Sequence, residues 1–145
     1  MKRAVRIVRF EPDDTKNHEK SLEIRTRVFI REQNVEPELE YEFEDESHLY
    51  LLYFKDEAVG TARWRDTEQG VKLERFAILP EFRNMGLGTQ LLEAVMKDAL
   101  RSGRPIYLHS QLKALSYYHR AGFRKKGNKF TEADIDHYLM VYEGQ

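Results

Sequence analysis

Arg83-Asn84-Met85-Gly86-Leu87-Gly88, read RNMGLG, lies between the apolar run RFAILP at residues 75–80 and the helical pattern TQLLEAVMKDAL at residues 89–100. A strand that passes into a helix through two glycines leaves the first helical N–H groups unpaired. The positive end of the helix dipole then stands open to an anion. Glycines at a helix start also serve packing alone, and that bland reading stays open at this point. The stretch is neither of the usual nucleotide loops. It lacks the Lys-Ser/Thr pair of a Walker A loop and the third glycine of a dinucleotide fingerprint. The chemical reading that remains is a pyrophosphate cradle made by the amides of Asn84, Met85, Gly86, Leu87, Gly88 and Thr89, with Arg83 beside them as a cation.

Working outward, VKLERFAILP before the turn reads as a strand stopped by Pro80, and the helix after it closes at Ser102-Gly103. Further upstream, SHLYLLYF and AVGTARWR form a hairpin across the polar turn Lys55-Asp56-Glu57. Val5 and Ile7 begin a half-buried first strand. Leu22, Ile24, Val28 and Phe29 keep helical spacing from about Thr15 to Gln33-Asn34. Downstream come a buried strand at PIYLHS, a short helix at LKALSYYHRAG and a closing strand at HYLMVYE. The expected order is strand, helix, three strands, helix, strand, helix, strand. It predicts an α/β fold with a mixed sheet, an antiparallel front half and helices on both faces.

The chain of 145 residues fits one domain spanning 1–145, with no repeat or linker. The absence of cysteine excludes disulfides, thiolate metal sites and a cysteine nucleophile. A net charge of -1 gives no reason to expect nucleic acid or an anionic membrane. The start has basic residues threaded through its apolar ones, and no run reaches membrane length, so a cytoplasmic protein is expected. No His/Asp/Glu spacing matches a metal site, and none is expected. The acidic, aromatic-interleaved run EPELEYEFEDE at residues 36–46 reads either as a solvated loop or as a mouth for a cationic substrate.

The glycine turn after LERFAILP, followed some thirty residues later by LSYYHRAGF, resembles the GNAT superfamily of acyl-CoA-dependent N-acetyltransferases. RTRVFIREQNV, ELEYEFEDESHLY and HSQ are similar to the ElaA-like and YjcF-like bacterial members. The resemblance implies a GNAT-like fold whose fourth and fifth strands splay apart. It also implies acetyl-CoA as acyl donor and a small-molecule or peptide amine as acceptor, and homodimers are common among such proteins. The cofactor's pantetheine arm would lie along Phe76, Ala77 and Ile78, its pyrophosphate would reach the turn at Arg83–Thr89, and Gln111 would contact it.

Aligned with the family's pattern, YYHRAGF places Tyr118, rather than Tyr117, as the acid that protonates the departing thiolate. The attacking amine must be neutral, so a base is required. Glu74 and His109 lead the candidates, followed by His48, Glu40, Glu44 and His137. The ordinary alternatives are a strand Glu74 paired with Arg75 or Lys72 and a satisfied strand-end His109. The oxyanion would meet a backbone amide, that of Ile78. The acceptor pocket is expected between the first helix and the loop after it, with Arg27, Glu32 and Gln33 turned inward, Phe29 packed beside them and Glu44 from the acidic run. If that run lines the mouth, cationic amines are favoured. The alternative to an enzyme is a domain that binds acyl-CoA as a sensor without turnover.

Overall fold

The computed structural model describes residues 4–36 and 41–144. Seven strands form one sheet in the order β1-β2-β3-β4-β5-β7-β6. They are β1 (Val5–Phe10), β2 (His48–Phe54), β3 (Glu57–Thr67), β4 (Gly70–Ile78), β5 (Ile106–Gln111), β6 (Phe123–Glu132) and β7 (Ile135–Tyr142). Every neighbouring pair is antiparallel except β4 with β5. Three α-helices, α1 (Thr15–Arg25), α2 (Leu87–Ala99) and α3 (Leu115–Arg120), complete the fold. Among the described residues no helix is long and apolar enough to cross a membrane.

The helices cover both faces, and β3 shows why. Thr61 and Trp64 are three residues apart, so their side chains point to opposite sides of the sheet. Thr61 meets Ser21 of α1 at 2.6 Å. Trp64 donates to the Tyr50 hydroxyl, which in turn donates to Asp98 of α2 at 2.6 Å. The core between these layers contains Leu49, Leu51, Leu52, Val59, Leu91 and Val95, all nearly or fully buried. The alternation that predicted the hairpin strands is the alternation that fills this core.

Two features depart from the sequence expectation. One strand more is present than expected, because β6 lies at the sheet edge and most of its residues are exposed, so FRKKGNKFTE carries no apolar alternation to betray it. The first helix does run to the predicted end, but only Thr15–Arg25 is α-helical. Thr26–Glu32 continues as a π-helical stretch. A π-helix pairs residues five apart instead of four, and this changes which side chains share a face.

Candidate active site

The site opens where β4 and β5 stop pairing. Their parallel ladder covers only Val71, Leu73 and the residue between them, opposite Ile106–Leu108. Beyond it, β4 carries one extra residue against β3: Thr61 pairs with Ala77, but Arg63 pairs with Glu74. Arg75 sits in that bulge at φ 58°, a left-handed conformation rare for a side chain of its size. Bulges bend a strand and re-aim its side chains, and they recur beside active sites. Here the bend leaves a cavity of about 460 Å³ between the strands.

Its walls include Phe29 from the π-helical stretch and Gln33 at its C-cap, Glu74 and Phe76 from β4, His109 and Gln111 from β5, and Tyr118 from α3. The three expected catalytic residues, Tyr118, His109 and Glu74, therefore meet around one space. The Gln111 amide donates to the Gln33 side chain at 2.8 Å, tying the end of β5 to the first helical segment.

Tyr118 is half-buried and packs edge-on against Tyr117 and Phe123. Burial pushes its phenol well above the usual range, with Tyr117 adding to the effect. It is thus held in the protonated, donating form at neutral pH. Tyr117 points elsewhere: its hydroxyl hydrogen-bonds Thr89, and a Cβ placed on Gly88 would stand 3.7 Å from it. Burial raises its phenol too. Only Tyr118 of the pair lines the cavity.

Glu74 is not an exposed strand residue. Its Oε1 accepts from Arg63 Nε at 3.0 Å and Arg65 Nε at 2.9 Å, and its Oε2 lies 3.2 Å from Lys72 Nζ. Burial alone would raise its pKa, but the charges of Arg63, Lys72 and Arg75, with the Arg65 hydrogen bond, hold it at about 2. A carboxylate so stabilised is a weak base. His109 has its Nδ1 3.4 Å from Glu132 Oε2 and its ring edge-on to Phe130. His137 also lines the cavity, its Nδ1 bound to the Ile135 carbonyl at 2.7 Å. His48 sits away from the cavity, its ring tilted against Trp64 and its Nδ1 3.1 Å from Glu11. Glu40, and Glu38 of the acidic run, lie outside the described residues.

Three expected acceptor contacts are corrected. Arg27 pairs with Glu81, both carboxylate oxygens at 3.0 Å, and Glu32 pairs with Arg83, two contacts at 2.9 Å. Arg27 and Glu32 are five apart, so the π-helical winding aligns both toward the 81–83 segment, where an α-helix would have spread them. Neither lines the cavity. Glu44 also turns away from it. Burial would raise its pKa, but the hydrogen bond and charge of Arg25, a hydrogen bond from His18 and the charge of Arg63 hold it at about 2. It anchors the acidic segment to the core, and Glu42 and Phe43 are the described residues of that run that reach the cavity. Phe29 and Gln33 do line it, as expected.

At the other end of β4, Pro80–Phe82 makes one 3₁₀ turn, and the chain enters α2 with Gly86 as N-cap at φ 78°. Asn84 is also left-handed at φ 64°. No side chain caps α2 and no acidic residue lies in its first turn, so its leading amides face outward without a competing carboxylate. This cradle fits a pyrophosphate. Arg83 is already engaged, its guanidinium on Glu32 and its Nε on the Ile78 carbonyl at 2.8 Å. Ala77 belongs to the core, and Ile78 is half-buried with its Cγ1 near the Gly88 position. Strand end and cradle are thus in contact.

Arg65, Lys72, Arg75, Lys113 and Glu132 also line the cavity; none is a site residue in the sequence reading, where Lys72 and Arg75 enter only as ion-pair partners of Glu74. A signal for two of them existed. Counting back from the tight turn between Thr67 and Gly70 places Arg65 opposite Lys72 and Arg63 opposite Glu74.

The family model described as an acetyltransferase (GNAT) domain matches residues 12–143. The N-acetyltransferase YjcF of Bacillus subtilis is 36% identical over 121 residues, covering 81% of this chain and 86% of its own. An acyl-CoA N-acyltransferase from Pseudomonas aeruginosa superposes with a TM-score of 0.84 at 28% identity, covering 96% of this chain and 99% of its own. ElaA of Escherichia coli, at 20% identity and with a TM-score of 0.84 over 96% and 99% of the two chains, shares the fold.

Proposed function

We propose that this chain, which belongs to the GNAT acetyltransferase family, transfers an acetyl group from acetyl-CoA to a primary amine by direct attack. The observation that carries this reading is Tyr118 at the opening between β4 and β5. It faces the same space as Glu74 and His109 and stays protonated through burial. Acetyl-CoA supplies the activated acyl carbon and a thiolate leaving group. The amides from Asn84 to Thr89 hold the pyrophosphate, and the side of β4 that faces away from β3 at Phe76, Ala77 and Ile78, beyond its pairing with β5, holds peptide-like amides of the arm. Gln111 contacts the donor from β5. Arg83 adds charge at the phosphates if it exchanges Glu32 for them. The Ile78 N–H steadies the oxyanion. Tyr118 donates its proton to sulfur as the C–S bond breaks.

For the proton on the amine, His109 is the better placed base, because Glu74 is neutralised by its cations. With no cysteine in the chain, direct attack needs no acyl-enzyme on sulfur. A broad primary-amine screen with detection of free coenzyme A tests the reading. Acetyl-CoA-dependent release with at least one amine is expected. Release with none, while acetyl-CoA still raises the melting temperature by mass action, would leave a binding domain without turnover.

A further inference from the structure

Glu74 is one carboxylate among several cations, and those cations are withdrawn from water. The side chains of Arg63, Lys72 and Arg65 are 0%, 12% and 13% exposed. All three draw on Glu74 at 3.2 Å or less, and Arg75 Nη1 stands 4.0 Å from it. Among the described residues the other acid paired with Arg63 is Glu44, which is itself shared with Arg25 at 2.7 Å. Arg63 Nη2 is buried and makes no hydrogen bond, although it lies 2.9 Å from Glu74 Oε1. Burying a cation is costly unless counter-charge and hydrogen bonds compensate it. Among the described residues Arg63, Arg65 and Lys72 share the single carboxylate of Glu74, and Arg65 and Lys72 present their positive charge to the cavity.

On the far flank of β5 the charge reverses. Glu132 stands between His109 Nδ1 at 3.4 Å and His137 Nε2 at 3.8 Å. The cavity is therefore bipolar, cationic toward β3 and β4 and acid-histidine toward β6 and β7. We infer that the acceptor is an amine that also carries an anionic group, a carboxylate or a phosphate, seated on the Arg65–Lys72 side with its amine toward Tyr118 and His109. The inference rests on the acetyl-transfer reading and gives its acceptor a chemical class. It reverses the preference drawn from the acidic run: Glu44 of that run is spent on Arg25 and Arg63, and among the described residues Glu42 is its one carboxylate that lines the cavity. A positive wall repels an ammonium and so favours the neutral amine that attack requires. A substrate whose only charges are positive would meet that repulsion with nothing to offset it.

The test is calorimetric binding of matched ligands to the coenzyme A-loaded protein. The pairs are phenylalanine with its amide and phosphoethanolamine with ethanolamine, and putrescine is the cationic arm. The anionic member of at least one pair should bind about tenfold tighter or more, the scale of one charged hydrogen bond. A preference confined to one pair identifies carboxylate or phosphate as the anion. Lys72→Met and Arg65→Met should each collapse the preference to about twofold or less with coenzyme A affinity unchanged. Equal binding within both pairs, or tightest binding of putrescine, would overturn the inference, and that result needs only the wild-type protein. Free coenzyme A release is read separately. Its absence for every amine, with the anion preference intact, would remove the acetyl-transfer reading and leave the anion site standing.

Discussion

At the glycine turn, charge is met by consecutive backbone amides at the head of α2, while beside Glu74 it is met by side chains from two strands. The turn needs little from its side chains: Met85 is exposed, and Gly86 and Gly88 have none. The wall around Glu74 needs each of its side chains, because Arg63, Arg65 and Lys72 all share one carboxylate. A backbone site tolerates substitution and cannot easily change specificity. A site built of ion pairs can change its preferred ligand with one residue, at the risk of its own stability. In the proposed reaction the first holds the donor and the second the acceptor.

Tyr118 stands between the two regions and belongs to neither, so its replacement should separate chemistry from binding most sharply. Tyr118→Phe is expected to lower turnover ~10²–10⁴-fold with acetyl-CoA affinity nearly unchanged, as read by coenzyme A release and calorimetry. Breaking the wall should cost stability instead. Glu74→Gln leaves Arg63, Arg65 and Lys72 without their shared acid and should lower the unfolding free energy by ~3–5 kcal/mol in urea titration.

The same region should answer to pH. Glu44 and Glu74 have folded-state pKa values depressed to about 2 from 4.5. The stability they contribute is full above about 4.5 and is lost as the pH falls toward 2. The urea midpoint should therefore drop across that window in the wild type, and less steeply in Glu74→Gln. At the turn, Gly86→Ala forces a Cβ into φ 78° and should cost roughly 1–2 kcal/mol, although nothing stands within 4 Å of that Cβ. The smallest effect should come from Met85→Ala. Acetyl-CoA affinity should stay within about twofold, because the contact is backbone. A large loss there would dissolve the contrast between the two regions.

The two regions also differ in how far the sequence discloses them. The cradle is contiguous, so two glycines and the strand before them reveal it. Tyr118 follows the same rule, set by its distance from Gly122 in the YYHRAG pattern. The acceptor wall is assembled from β3, β4 and β5 and the β6–β7 hairpin, and its charges acquire meaning only through strand register. Arg27 and Glu32, expected to turn inward, lie in a segment that winds as a π-helix and face Glu81 and Arg83 instead. Nothing in TRVFIRE announces that winding, and π-helical stretches are rare enough that α is the natural expectation. Edge strand β6, which brings Glu132 to the cavity, hid for want of apolar alternation.

In the proposed reaction the scissile thioester lies at the β4–β5 opening, beside Tyr118 and beyond the cradle. A crystal structure of the acetyl-CoA complex measures this directly and does not require the acceptor to be known. It should show pyrophosphate oxygens on the amides of residues 84–89 and the thioester sulfur within hydrogen-bond reach of the Tyr118 hydroxyl. A sulfur nearer Tyr117, or a pyrophosphate bound away from the turn, would contradict it.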